Sequence, residues 1–475
     1  MNSLLIWLPI LLLILLNLPF LKIRARIALI LTALMAVYQI FVVLTNLPVG
    51  KGVENFLSTK FILNFSTDSL SLIVLLSIGI VLFVTALTGW ETIETEPEKI
   101  HFYNLLLAAL IGMNATTMTN DIFTLYIFVE ATALSLFILI AMEKGQAGLE
   151  GAFKYLILSG VATAFMLISI ALLILLSGST TFDTIHNAIV NSDQADLVKL
   201  ALAMFLGGLF VKSGLVPFHG WLPDAYSSAP SAVSVFLAGI VTKVTGVYVL
   251  MRVVLSVFGY SVPLQTVLMF FGTLSIVVGA LAALTQNNFK RMLSYSSISQ
   301  VGYIILGLGC GTPMALAGAA FHLFNHAIFK SLLFVNAAGV EQRLQTVDMD
   351  KMGGLAERMP FTGATSAIAF LSTAGVPPLS GFWSKLLIVL ALWQSSHHYY
   401  AGIALLSSLL TLTYLLTMQR KVFFGKIRPE LSSLREAGPL IVIPQVLLAG
   451  IIVAAGVFVV YFLNALFLPV GNLLG

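Results

Sequence analysis

The chain is poor in charge: only 9% of its 475 residues are Asp, Glu, Lys or Arg, where a soluble domain carries about a quarter. That scarcity excludes a water-exposed globular domain as the main body of the molecule. Cysteine is nearly missing as well. The single Cys310 allows no disulfide within the chain, no thiolate zinc site and no iron–sulfur cluster. No cofactor and no resident metal is therefore expected. Alternation of apolar and polar residues in segments of about ten, the mark of a membrane barrel, does not occur. Nor does a basic segment precede the first apolar run as a cleaved signal would require, so that run reads as a retained helix.

Apolar residues fill the space, at 59% of the chain with a mean hydropathy of +1.01. The apolar runs are about 20 residues long, the length a helix needs to cross a bilayer. The expected fold is an all-α membrane protein, one transmembrane domain over 1–475. Its spans lie near 3–21, 27–46, 69–90, 102–118, 122–142, 154–176, 200–218, 231–251, 263–285, 293–309, 314–339, 360–395, 399–419 and 438–466. That makes about 14 helices, with the seventh and twelfth discontinuous.

Basic residues set the orientation. With both termini outside, 15 of the 24 lysines and arginines, from Lys22 to Arg435, fall on the inner side; only Lys51, Lys60, Lys199 and Arg252 fall outside. The acidic loop from Glu91 to Lys99 counts little in this rule. Localisation in the cell membrane follows, and the net charge of +4 does not call for a nucleic acid partner.

Two lysines sit where charge is expensive. Lys212 and Lys243 interrupt apolar segments, and Pro217, Gly220 and Pro223 break the chain between them. A charge at mid-bilayer costs about 2.5–3.5 kcal/mol on the mildest scale, and such residues mark ion or proton paths. Broken helices at membrane depth line polar cavities. Among the acidic residues only Glu130 lies deep inside a span. A carboxylate and an ammonium about 4 Å apart at an effective dielectric of 20 attract by roughly 4 kcal/mol. That is enough to decide whether the lysine keeps its proton, so making and breaking the pair would bind and release one. The bland alternative is a permanent ion pair that positions two helices.

Phe321-His322-Leu-Phe-Asn325-His326-Ala-Ile-Phe-Lys330 places His322, His326 and Lys330 on one helical face at i, i+4 and i+8. Histidine titrates nearest physiological pH, which suits a proton relay. No carboxylate or cysteine stands nearby to complete a metal site. Lys385 follows a second Gly/Pro break and would end the row. Three features are set aside: Gly307-Leu-Gly309-Cys-Gly311 lacks the strand a nucleotide fingerprint needs, His397-His398 reads as solvated, and Lys290-Arg291 reads as an anchor at the inner surface.

The chain also resembles itself. Gly214-Leu-Val-Pro217 recurs as Gly375-Val-Pro377-Pro378, an offset of 161, and Ala152-Phe153-Lys154-Tyr155 recurs as Ala320-Phe321-His322-Leu323, an offset of 168. Two halves of five spans, 102–251 and 263–419, are expected. An odd number of spans per repeat inverts one half relative to the other, as in many transporters.

Lys212-Ser-Gly-Leu-Val-Pro-Phe-His-Gly-Trp-Leu-Pro-Asp, Lys290-Arg-Met-Leu-Ser-Tyr-Ser-Ser-Ile-Ser and Gly375-Val-Pro-Pro-Leu-Ser-Gly-Phe together resemble a family of antiporter-like subunits. It is shared by respiratory complex I, group 4 membrane-bound hydrogenases and Mrp-type cation/proton antiporters. The resemblance spans roughly 100 to 425, and the run ending at Lys385 is most similar to the Mrp D-type branch. It implies 14 transmembrane helices, two inverted five-helix repeats and a central polar axis. Carried over by position, Glu130 and Lys212 form the switch, and Lys243 is the next relay lysine. His322, His326 and Lys330 connect, and Lys385 is the distal exit. The chain departs from the family at Phe236-Leu237-Ala238 and at Gln300, where many members have histidine, so Ser297 or water would carry the proton there. No long C-terminal lateral helix is expected.

The functional expectation is a proton-translocating membrane subunit, with exchange for sodium left open, working beside other membrane subunits. Whether it is part of an enzyme is undecided, since the chain has no redox or hydrolytic site of its own. The alternatives are a proton-pumping subunit of an oxidoreductase of complex I or hydrogenase type, and a structural scaffold.

Overall fold

The computed structural model describes residues 4–18, 24–46, 52–56 and 63–474. Lys22, Lys51 and Lys60, used above for orientation, lie outside the described residues. Helices dominate because lipid offers no partner for a free backbone amide or carbonyl, and a helix pairs them all within itself.

The helices are α1 Leu4–Leu16, α2 Ala25–Asn46, α3 Ser69–Thr92, α4 Glu96–Met118, α5 Ile122–Ala141, α6 Gln146–Ser177, α7 Phe182–Val190, α8 Ala195–Ser213, α9 Trp221–Ser228 and α10 Ser231–Phe258. They continue with α11 Val262–Leu284, α12 Phe289–Cys310, α13 Pro313–Leu344, α14 Pro360–Ala374, α15 Ser380–Gln394, α16 His398–Val422, α17 Pro439–Val457 and α18 Val459–Leu474. Nine of them, among the described residues, are long and apolar enough to cross a membrane. Each predicted span contains a helix, but two expectations need correcting. The fold is not wholly α: β1 Gly52–Phe56 and β2 Leu63–Thr67 pair antiparallel ahead of α3, with Gly52 opposite Thr67. Pro439–Val457 ends at Phe458, where the last predicted span continued to 466. The polar stretch after α6 contains a helix of its own, α7.

The breaks fall where glycine and proline placed them. α8 ends at Gly214 and α14 at Gly375, both left-handed (φ +67° and +87°), and each turn contains one cis X–proline bond. A left-handed residue other than glycine pays for its Cβ. Both turns close alike: Leu215 donates its amide to the Phe210 carbonyl and Val376 to Leu371, each at 3.0 Å.

Other pairs of features recur at a constant spacing. The Ile122 amide donates to the Thr180 carbonyl at 2.8 Å and Phe182 to Asn120 at 3.0 Å; Phe289 donates to Val347 at 2.8 Å and Met349 to Asn287 at 2.9 Å. Each member of the second pair lies 289 − 122 = 167 residues after its counterpart. The helices begun there, α5 and α12, are capped by side chains at matching positions, Asp121 to the Thr124 amide and Asn288 to the Arg291 amide.

Burial separates core from perimeter. The apolar windows of α10 and α13 are 100% buried and that of α3 94%, against 44% for α5 and 28% for α6. The helices bearing Lys243, His322, His326 and Lys330 are thus the ones kept entirely off lipid.

Candidate functional site

α5, α6 and α8 bring the first group together. The Lys212 ammonium donates to Glu130 Oε1 at 2.6 Å and to Ser159 Oγ at 3.0 Å. The lysine side chain is 4% exposed and the glutamate 26%. Lys212 is the next-to-last residue of α8, held at the break by Trp221, whose indole donates to the Val211 carbonyl at 2.9 Å. Beside it a cavity of about 10 Å³, lined by Tyr155, Ser159, Lys212, Thr242 and Thr245 among others, has room for one water. It opens the way from α8 to α10.

Lys243 does not join the Glu130 pair. It is fully buried, and its ammonium donates to the Ala238 carbonyl of its own helix. Around this contact α10 is π-helical, over Leu237–Val241 and again over Lys243–Tyr248, a widened turn of a kind frequent at functional sites. Thr242 and the Tyr226 hydroxyl meet at 3.0 Å on the side facing the small cavity. The sequence carried no signal for the π turns.

α13 presents the second group. His322 and His326 have parallel rings 6.5 Å apart, and Lys330 follows on the same face. Lys243, Lys330 and Lys385 all lie within electrostatic reach of His326. His322 Nδ1 meets Ser384 Oγ at 2.9 Å, and Asn325 donates to Ser384 at 3.0 Å. Neither ring nitrogen of His326, nor His322 Nε2, meets a protein partner among the described residues. Buried polar atoms that the protein leaves unpaired are paired by ordered water. Lys330 donates to Ser296 Oγ at 2.6 Å and to the Leu293 carbonyl at 3.2 Å. Lys385 donates to the Thr373 carbonyl at 2.8 Å, just ahead of the Gly375 break, and sits 4.6 Å above the Tyr303 ring. That ring is 5.7 Å from His322.

The expected residues therefore fall into two groups. One is the ion pair of Glu130 and Lys212. The other, with no paired carboxylate among the described residues, comprises Lys243, His322, His326, Lys330 and Lys385, and every amine in it is held by carbonyl and hydroxyl oxygens. A proton on one amine disfavours a proton on the next, since like charges in a poorly polarisable interior repel strongly. Such a set does not hold several charges at once. Ser159, Ser296, Ser384 and Tyr303 were missed as partners because hydroxyls are common in membrane helices and their spacing announces nothing.

Two further sites add to the sequence reading. Lys290, expected as an anchor at the inner surface, is 3% exposed and donates to Glu341 at 3.0 Å and to the Ala229 carbonyl at 3.1 Å, while Arg291 pairs with Asp224. Lys290 and Glu341 line a cavity of about 450 Å³ with Glu91, Glu94 and Glu143. Arg252, assigned by the charge rule to the outer side of the membrane, is 8% exposed and grips Asp68 in a bidentate pair at 2.5 and 2.8 Å.

Residues 119–411 match the family described as "NADH:quinone oxidoreductase/Mrp antiporter, TM". A Na(+)/H(+) antiporter protein of the D type from Alkalihalophilus pseudofirmus is 32% identical over 339 residues, which cover 71% of this chain and 69% of the relative. An NADH-quinone oxidoreductase protein of the N type from Desulforudis audaxviator is 36% identical over 324 residues, covering 68% of this chain and 64% of the relative. A chain in the structure of the Mrp complex from Dietzia sp. aligns with a TM-score of 0.92, covering 100% of this chain and 97% of that one at 22% identity, which is a likeness of fold.

Proposed function

This chain belongs to the NADH:quinone oxidoreductase/Mrp antiporter transmembrane family, and from that premise we propose a path for the ion. Protons move through Glu130, Lys212, Lys243, Lys330, His326, His322 and Lys385, within a larger assembly of membrane subunits. The observation that carries this is the arrangement of Lys243, Lys330 and Lys385, each 0–5% exposed and each bonded only to hydroxyl or carbonyl oxygens. A permanent structural role would favour a carboxylate beside each amine, because an uncompensated buried charge is costly. In the path, Glu130 holds the Lys212 proton while paired; when the pair opens, the proton passes by way of Thr242 and water to Lys243, then by Lys330 and the two histidines to Lys385.

The finer architecture belongs to the same reading: about 14 crossings, both termini outside in a cell membrane, and inverted repeats over 102–251 and 263–419. Support comes from the 167-residue spacing of the paired backbone bonds and from the like closure of the two breaks.

Lys212→Ala and Glu130→Ala, each in the assembled complex in membrane vesicles, are expected to lower proton-coupled transport more than tenfold with normal assembly. Unchanged transport would leave the scaffold reading standing. A second reading, a proton-pumping subunit of a redox complex, is favoured by the similarity to an NADH-quinone oxidoreductase protein. Co-purification of cluster-binding proteins would select it; co-purification of membrane subunits alone would select the antiporter.

A further inference from the structure

The path leaves unused the Lys290-Arg291 pair that opens α12 and the short helix it touches, α9, which lies between the break at Gly214 and the start of α10. α9 reaches both lysines of the first steps. Its first residue, Trp221, donates its indole N–H to the Val211 carbonyl at 2.9 Å, beside Lys212, and sets its ring 5.1 Å from that of Tyr155. Its Tyr226 hydroxyl donates to the Leu237 carbonyl at 2.9 Å and meets Thr242 Oγ1 at 3.0 Å, beside Lys243. The position of α9 therefore sets the gap a proton crosses from Lys212 to Lys243.

Charged side chains from three other helices hold α9 in place. The Asp224 carboxylate, between Trp221 and Tyr226 in the chain, accepts from Lys154 of α6 at 2.7 Å and from Arg291 of α12; Glu150 also pairs with Lys154, at 2.5 Å. One residue past the end of α9, the Ala229 carbonyl accepts from Lys290 at 3.1 Å, and the same ammonium donates to Glu341 of α13 at 3.0 Å. Ser231, the first residue of α10, donates to Glu341 as well. A lone exposed ion pair holds little. Here one carboxylate takes cations from two helices, and Lys290 reaches the other end of α9 with only 4% of its side chain exposed. The backbones are close as well: a Cβ on Gly151 of α6 would stand 3.1 Å from the Asp224 carbonyl oxygen and 3.3 Å from Ala225 Cα.

α12 also serves the later part of the path. Ser296, which accepts from Lys330 at 2.6 Å, stands five residues after Arg291, about 7.5 Å along the same helix. Rigid helices joined by a network of bonds carry a displacement from one site to another. One helix thus holds Lys330 by a hydroxyl and α9 by two cations, and α9 in turn touches the backbone beside Lys212 and the hydroxyl beside Lys243.

We propose that Asp224 is a positioning residue that couples the two groups of titratable side chains: held by Lys154 and Arg291, it fastens α9 to α12, so that a shift of α12 at Lys330 changes the gap between Lys212 and Lys243. The proposal rests on those lysines lying on the path. The test uses the assembled complex in membrane vesicles. Asp224→Asn, which keeps the shape and removes the charge, is expected to slow proton-coupled transport at least fivefold. It is also expected to speed amide hydrogen exchange over residues 237–248 of α10 at least tenfold, with exchange in α14 unchanged. Arg291→Gln is expected to do both, and Arg291→Lys to keep at least half of native transport. A role in folding alone would raise exchange in α14 as much as in α10, and that result would overturn the coupling, as would native transport or native α10 exchange in Asp224→Asn. Lys212→Ala and Lys330→Ala separate the two claims: native transport in both would sink the path, while the exchange contrast would still report whether Asp224 sets α10.

Discussion

Lys212 and Lys243 are both lysines in apolar helices, yet they are held in opposite ways. One has a carboxylate at 2.6 Å and the other only a carbonyl of its own helix. Arg252 shows the third possibility, an ion pair built for permanence: two bonds to Asp68, with the Tyr248 hydroxyl accepting from Nε at 3.1 Å. Burial pushes the Asp68 carboxyl up, but the Arg252 charge and hydrogen bonds, with those from Ser71, outweigh it and hold the group at about 2. Because this lies below the unfolded value of about 3.9, the stabilisation is complete above that pH and is lost as pH falls toward 2. Asp68→Asn, which strands the guanidinium, is expected to destabilise the protein by about 3–5 kcal/mol. Thermal unfolding followed from pH 7 down to pH 2 checks both points: the gap between wild type and variant should be constant above pH 5 and shrink below pH 4. At this scale the sequence exposed His322, His326 and Lys330 through their spacing. Ser159 and Ser384 stayed hidden, because what makes them functional is the amine or imidazole that another helix sets against them.

α8 and α10 meet closely behind the Glu130–Lys212 pair. A Cβ on Gly246 would stand 2.6 Å from Ser213 Cα and 2.7 Å from its amide nitrogen, and Ser213 follows Lys212. Gly246→Ala must therefore move one helix against the other at the point where Lys212 faces Thr242. A displacement of about 1 Å at a reacting geometry costs on the order of 100-fold, so transport is expected to fall at least tenfold. Measured beside the thermal stability of the variant, the loss should exceed what the drop in folded protein accounts for. The breaks at Gly214 and Gly375 were legible because proline and glycine punctuate a helix wherever they stand. The π turns around Lys243 were not, since widening by one residue depends on what packs against α10.

For the whole molecule, the acidic cavity beside Lys290 and the buried neutral side chains ending at Glu436 lie at one face, and the Asp68–Arg252 pair lies at the other. If sodium is exchanged through this chain, proton transport in vesicles should depend on sodium in the wild type and lose that dependence in Lys212→Ala; a sodium-independent wild type would leave proton movement alone. The membrane class, the positions of the spans, both breaks and the charges that fall inside spans were set by sequence alone, because hydropathy and Gly/Pro punctuation act locally along the chain. The tertiary structure alone decided which amine keeps a carboxylate and which makes do with a carbonyl, that Lys290 and Arg252 are buried in pairs, and that amides and hydroxyls from four helices gather between Lys330 and Glu436. Apart from the Lys243–Ala238 contact inside one helix, those partners lie from 12 to 184 residues apart, and no local pattern encodes which of many buried hydroxyls and carbonyls will meet a given ammonium.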